Sequence, residues 1–510
     1  MLRSFRLRGF ILRIIASVLA ALFASVLNQP LTPLGAEPPL PCEPPPKTLP
    51  RGALERFGNV LSARTVASDP HGGTPELEKC MHTLRSQYAS VFDTADLDES
   101  IAQHSALLLF SPLSGSNTCY THAHFHYDVV PATDDVSLWS GVGPFSGQVV
   151  NNSIVGRGTF DAKGGLVAFF EALSVDIDRL KQRSTGLLVT ISHDEESKGG
   201  VGTAALVKRV EQLGVCVDFL LDEGGLVATD GLPPLLKPER NQTVAFVGIA
   251  EKGHASTIAR FTSAAGHSSN PTTSGACQQA ASYVMRVSKE QPSPSLPEGV
   301  RMLLQQATIH SNRLHARAKQ LVVSALNKRS VQAGVAKLLS RQGGPAGATV
   351  RTTASVVSSF SPEDPGNKRG NVNPSTAQVE VNLRLGLGST SGAALEHCRR
   401  KSGDAASVSL LGDTVSEPVG ESSTNTSAFA MVAHAVGHAY GDKGAVTVPS
   451  VTTGVTDSRR FARLAKKIYR FYPLECDLAT LCGAHDSGEK VGVESFGRAV
   501  VFYRALIRQL

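Results

Sequence analysis

The 510-residue sequence has no C-x-x-C pair, no internal repeat and no apolar run of the roughly 20 residues that comfortably span a bilayer. Its eight cysteines (Cys42, Cys80, Cys119, Cys216, Cys277, Cys398, Cys476 and Cys482) are scattered, which excludes a zinc-finger array and a small disulfide scaffold. Cys476 and Cys482 are close enough to pair in an oxidising compartment; free buried thiols fit as well. Excess charge is also scarce. The formal charge is +6, but Arg3, Arg6, Arg8 and Arg13 precede the first acid, Glu37, leaving about +2 on the rest and no global nucleic-acid footprint. Acids are missing from residues 301–350, which carry Arg301, Arg313, Arg317, Lys319, Lys328, Arg329, Lys337 and Arg341. That run suits a solvated helical face, with docking to an anionic membrane or lipid-rich particle as the alternative.

What is present is globular: 41% apolar and 18% charged residues, in a chain long enough for two or more domains. The four arginines lead into IIASVLAALFASVL, residues 14–27, which fits a signal peptide or short signal anchor over residues 1–36. Cleaved and anchored forms both stay open. A proline-rich linker, 37–50, follows. Sequons at Asn151, Asn241 and Asn425 suit a glycoprotein of the secretory route, secreted or held in a vacuolar or lysosomal lumen.

From Ala106, β-rich apolar runs alternate with helical ones: ALLLF, TCYTHAHF, GGLVAFFEALSVDIDRL, GLLVTIS, GTAALVKRVEQLG and CVDFLLDE. Such a series predicts an α/β domain with a mixed, mainly parallel sheet whose ligands gather at strand carboxyl ends. From residue 253 the rhythm changes to three strand-like runs with two helical stretches among them, and near 412 the first texture returns. The expected organisation is a catalytic domain over 51–252 and 412–510, interrupted by an α+β lid and dimerisation domain at 253–411.

The acids fall at strand ends. THAHFHYD puts His122, His124, His126 and Asp128 on one face of an extended segment, and spacing alone does not choose among the histidines. A metal-bound histidine usually gives its second ring nitrogen to a carboxylate, so H-x-D is a candidate ligand with its own orienting group. Asp161 sits in a glycine-flanked turn, Glu195 and Glu196 follow one strand, and Asp222 and Glu223 follow another. Singly, each also suits a cap or a solvated loop. Gathered at one sheet edge, so many carboxylates call for cations.

In this order, H-x-D, GRGTFDAKGG, HDEES, LLDEGG and a late histidine in GAHDSGEK resemble the dizinc aminoacylase and carboxypeptidase family, which includes glutamate carboxypeptidase and succinyl-diaminopimelate desuccinylase. HYDVVPA, GHSSNP, TDSRRF and IYRFYP look closest to its branch of vacuolar carboxypeptidase S and the secreted N-fatty-acyl-amino-acid synthase/hydrolase. The resemblance, from about residue 55 to the C-terminus, implies two zinc ions per subunit. They would be held by His126, Asp161 as bridge, Glu196, Glu223 (Asp222 as alternative) and His485. It implies Glu195 as general base, Asp128 orienting His126, a cis bond after Asp161, and His267 reaching the active site of a partner subunit in a homodimer. Arg459 and Asn371 match positions that hold the substrate carboxylate and carbonyl. His122 and His124 have no counterpart, and HDSGE departs from the family's last motif. The implied activity is amide hydrolysis of short peptides at their C-terminal residue or of N-acyl amino acids. A catalytically silent or synthase-direction binding protein on the same fold is the alternative.

Overall fold

The computed structural model describes residues 48–66, 73–113, 119–197, 199–230, 243–270, 273–311, 314–359, 371–412, 415–478 and 480–510. The expected leader, most of the proline-rich linker, Asn241 and Arg313 lie outside the described residues. No helix of the described residues is long and apolar enough to cross a membrane.

A ten-stranded mixed sheet forms the centre. Its middle strands are Leu187–Ser192, Tyr120–His126 and Val217–Asp222, adjacent in that order and mutually parallel, so three carboxyl ends emerge side by side. Alternation along these strands splits the core into two layers. Phe125, Val189 and Phe219 pack with the helices Lys163–Val175 and Val493–Ile507 on one face. Leu188 and Leu220 pack with Gly202–Leu213 on the other. Lys163–Val175 is apolar on nearly every side because it is buried on nearly every side. Its one buried acid, Glu171, is satisfied by two 2.6 Å bonds from Arg56 and one of 2.7 Å from Tyr88.

A second, four-stranded antiparallel sheet joins Thr353–Ser359, Thr376–Leu385, Gly253–Thr262 and Ala406–Leu410, with its own core around Phe261, Tyr283 and Val381. The intervening chain holds more helix than the two stretches expected. Glu298–His310, Ala316–Ala325, Arg329–Gln342 and Gly344–Ala348 follow the helix Ala276–Lys289. These four do not pack on the second sheet's core. Ala307 meets Val244, Val446 and Val448, while Val300 and Ala336 meet Ala250 and Val451, so this helical cover rests on the central sheet. Gly299 makes the approach close: a Cβ there would lie 3.2 Å from Ile249.

Cys119–Cys216 and Cys476–Cys482 form disulfides, and Cys80, Cys277 and Cys398 are free. The first pairing joins residues 97 apart in sequence, brought together where the strands Tyr120–His126 and Val217–Asp222 begin side by side.

Candidate metal centre

His126 ends the central strand of the parallel trio, and its neighbours supply the acids. Its Nδ1 lies 3.1 Å from the carbonyl oxygen of Asp128 and 3.3 Å from that residue's Oδ1. The fully buried Asp128 carboxylate also accepts the backbone N–H groups of Glu195 and Glu196, at 3.1 and 2.9 Å. One carboxylate therefore orients the ring and anchors the acidic loop after the next strand. His122 and His124, on the same strand face, reach neither acid group: both bond Thr190 Oγ1 at 2.7 Å, and His124 Nε2 lies 3.3 Å from Asp457 Oδ2.

Two clusters of donor atoms result, His126 with Glu195 and Glu223, and Asp161 with Glu196 and His485. Asp161 faces both. Its Oδ1 is 3.2 Å from His126 Nε2 and its Oδ2 is 3.1 Å from His485 Nε2. Glu223 Oε1 lies 3.5 Å from His126, and Glu196 Oε1 3.3 Å from His485. The turn that presents Asp161 is wrapped around buried Glu489, whose two oxygens accept N–H bonds from Gly158, Phe160 and Asp161 and one from Arg157. Glu489 follows His485 by four residues, so the two loops are held together despite the altered HDSGE motif. The Asp161–Ala162 bond is cis, and Tyr472 donates to the carbonyl of Ala162 at 2.8 Å.

The residues fit cations. Burial, then the nearby charge of Asp161, pushes Glu223 up to about 8. Burial, then Glu223, holds Glu195 well above the usual carboxylate range. The carboxylates of Asp161 and Glu196 beside it raise His485 to about 10. His126 Nε2 and Glu196 Oε1 are buried without a hydrogen bond. Imidazole nitrogen and carboxylate oxygen in such sets are what zinc takes. Glu195 lies among the donors of the first cluster, and proximity alone does not separate a ligand from a base. Asp222, the alternative to Glu223, faces elsewhere: it is buried and its Oδ2 accepts the Ser458 N–H at 2.8 Å.

One cavity of about 1750 Å³ is lined by Asp161, Glu195, Glu196, Glu223 and His485 and also by Leu303, Leu304, Val322, Leu326 and Leu339 of the helical cover. Arg459 lines it as well, with its Nη1 bonded to the Thr456 carbonyl at 2.9 Å. So does Arg384, which the motifs did not single out. Cross-strand pairing places it there: Arg384 stands directly opposite His254, another lining residue, on the neighbouring strand. Burial, then the charge of Arg459, lowers Arg384 from its ordinary range, with the Glu251 carboxylate opposing the shift. Two such cations in one cavity suit an anionic ligand group. His267 and Asn371 do not line the cavity of their own chain. They lie exposed together on a ribbon formed by Gly266–His267 and Val372–Asn373, where the Ser268 N–H bonds the Asn371 carbonyl.

A family model described as peptidase family M20/M25/M40 matches residues 123–509. The human N-fatty-acyl-amino acid synthase/hydrolase PM20D1 is 28% identical over 384 residues, 75% of this chain and 72% of that one. Probable carboxypeptidase S-like 2 of Dictyostelium discoideum is 28% identical over 386 residues, 75% and 70% of the two chains. Among solved structures, an M20 family metallo-carboxypeptidase from Sulfolobus solfataricus superimposes with a TM-score of 0.62 at 16% identity, covering 89% of this chain and 98% of that one. Human carnosine dipeptidase 1 does so with a TM-score of 0.55 at 14% identity, covering 90% and 96%. At those identities the solved structures speak to fold alone.

Proposed function

The chain belongs to the M20/M25/M40 peptidase family of metal-dependent hydrolases, and from that premise we propose that it hydrolyses the amide bond of N-acyl amino acids bearing a long aliphatic acyl chain. The observation that carries this reading is the cavity. At about 1750 Å³ it exceeds the range of about 300–1,000 Å³ usual for small-ligand clefts, and leucine and valine side chains of the cover share its lining with the acidic cluster. Each methylene withdrawn from water stabilises by about 0.8 kcal/mol. Recovering a quarter of that over sixteen methylenes is worth about 3 kcal/mol, roughly 200-fold in kcat/KM.

His126, Asp161, Glu196, Glu223 and His485 would hold two zinc ions, with Asp161 shared. When bound, the ions supply Lewis acidity that polarises the scissile carbonyl and acidifies water. Glu195 takes the proton of the attacking water and delivers it to the leaving amine nitrogen, so water and amide become fatty acid and amino acid. Its place on the cavity wall beside the donors of the first cluster supports that role. Asp128 keeps His126 in one orientation. Arg459 and Arg384 grip the carboxylate of the amino acid. His267 of a second copy donates to the developing oxyanion, with Asn371 beside it on the same exposed ribbon. The two disulfides support an oxidising compartment.

A substrate panel tests the proposal. The zinc-loaded protein is expected to turn over N-oleoyl amino acids with higher kcat/KM than N-acetyl amino acids or dipeptides; preference for dipeptides would overturn it.

A further inference from the structure

The strand that ends in His126 carries two buried histidines for which amide hydrolysis has no evident use. Their hydrogen bonds form a chain that ends on Asp457. Asp457, as a carboxylate, only accepts, so His124 Nε2 carries a proton and donates to Asp457 Oδ2 at 3.3 Å. His124 Nδ1 and His122 Nε2 both lie 2.7 Å from the Thr190 hydroxyl oxygen. Ser192 and Thr203 also donate to Asp457 Oδ2. Both His124 and Asp457 are 1% exposed, and neither lines the cavity.

Asp457 opens the short turn Asp457–Phe461, which carries Arg459 into the cavity. The turn has two further anchors: Thr456 donates to Glu251 at 2.7 Å, and the Ser458 N–H reaches Asp222, the residue before Glu223. Those anchors tie it to the end of Val244–Glu251 and to the Glu223 strand. The His124–Asp457 bond ties it to the strand of His126, two residues before that ligand. The guanidinium of Arg459 and the imidazole of His126 are thus referred to each other through the buried Asp457 carboxylate, which accepts from His124 and from Ser192, the residue level with His126 on the neighbouring strand.

We propose that His124 and Asp457 are a positioning pair that sets where Arg459 presents its guanidinium relative to the metal ligands, and so enforces the requirement for a free carboxylate on the substrate. The inference rests on the reading of Arg459 as a carboxylate-gripping residue.

The test uses the full zinc-loaded chain and two substrates, an N-oleoyl amino acid and its carboxamide, in which the carboxylate is an uncharged amide. In His124→Phe and in the near-isosteric Asp457→Asn, KM for the acid is expected to rise about tenfold with kcat within about threefold, as loss of uniform binding requires. KM for the carboxamide stays put and the zinc content is that of the wild type. His124→Gln, which keeps an N–H donor near the position of Nε2, is expected to restore most of the affinity. A merely structural role would weaken both substrates together, and that result overturns the proposal, as does an unchanged acid-to-carboxamide ratio in Asp457→Asn. Arg459→Ala separates the two readings. If it abolishes the discrimination while His124→Phe and Asp457→Asn keep it, the pair alone is refuted; if it leaves the discrimination intact, the reading of Arg459 falls and the pair with it.

Discussion

The strand ends and the helical cover that line the cavity are built in opposite ways. At the strand ends three buried carboxylates tie the elements together: Asp128 holds the His126 ring and two backbone N–H groups, Glu489 gathers four donors beneath Asp161, and Asp457 joins three elements. The helical cover presents half-buried leucines and valines to the cavity and carries Arg329, Lys337 and Arg341 on its exposed side, with no acid in residues 301–350. Satisfied polar networks in a low-dielectric setting specify one geometry. Apolar contact is non-directional and scales with area. On the proposed function, the strand-end lining does the chemistry and the cover reads substrate size.

The largest effect expected breaks the chemical end. Glu195→Gln should lower kcat about 10³-fold, within the span of general acid–base catalysis, equally for N-acetyl and N-oleoyl substrates and with zinc retained by elemental analysis. Full activity in that variant would refute the assigned base. Next, Arg384→Ala should raise KM about 30-fold on both substrates, since a hydrogen bond to a charged group is worth about 1.5–3 kcal/mol; steady-state kinetics at both chain lengths check it. At the other end, Leu304→Asp should cut kcat/KM for the N-oleoyl substrate about tenfold and leave the N-acetyl substrate unchanged. The smallest effect is the sharpest control. Replacing exposed Lys337 and Arg341 by serine should alter neither substrate by more than about twofold, as expected of surface changes away from a packed face.

Much of the chemical end was legible because its residues sit at fixed offsets from strand ends. H-x-D, the turn at Asp161 and the acidic pairs are local patterns, and the parallel sheet brings local patterns together. Choosing His126 from three equivalent histidines needed more than alternation; the geometry makes it the last residue of its strand, beside the acids. Arg384 and the His124–Asp457 contact were not legible. Both depend on pairing between segments more than 100 residues apart, which no spacing encodes. The Cys119–Cys216 bridge, across 97 residues, was hidden because it too rests on strand pairing, while Cys476 and Cys482, six residues apart, could be read as a pair. The cover's helices, set among the strands of the second sheet in sequence, show in their composition no sign that they rest on the central one.

The most direct measurement is kcat/KM across N-acyl amino acids from two to eighteen carbons, in the zinc-loaded wild type and in Leu304→Asp. Catalysis at one end and chain recognition at the other predict a rise of roughly 200-fold with length in the wild type. In the variant the rise flattens and the two-carbon value is unchanged. A wild-type profile independent of chain length, or a variant that loses the short and long substrates in equal proportion, would contradict it.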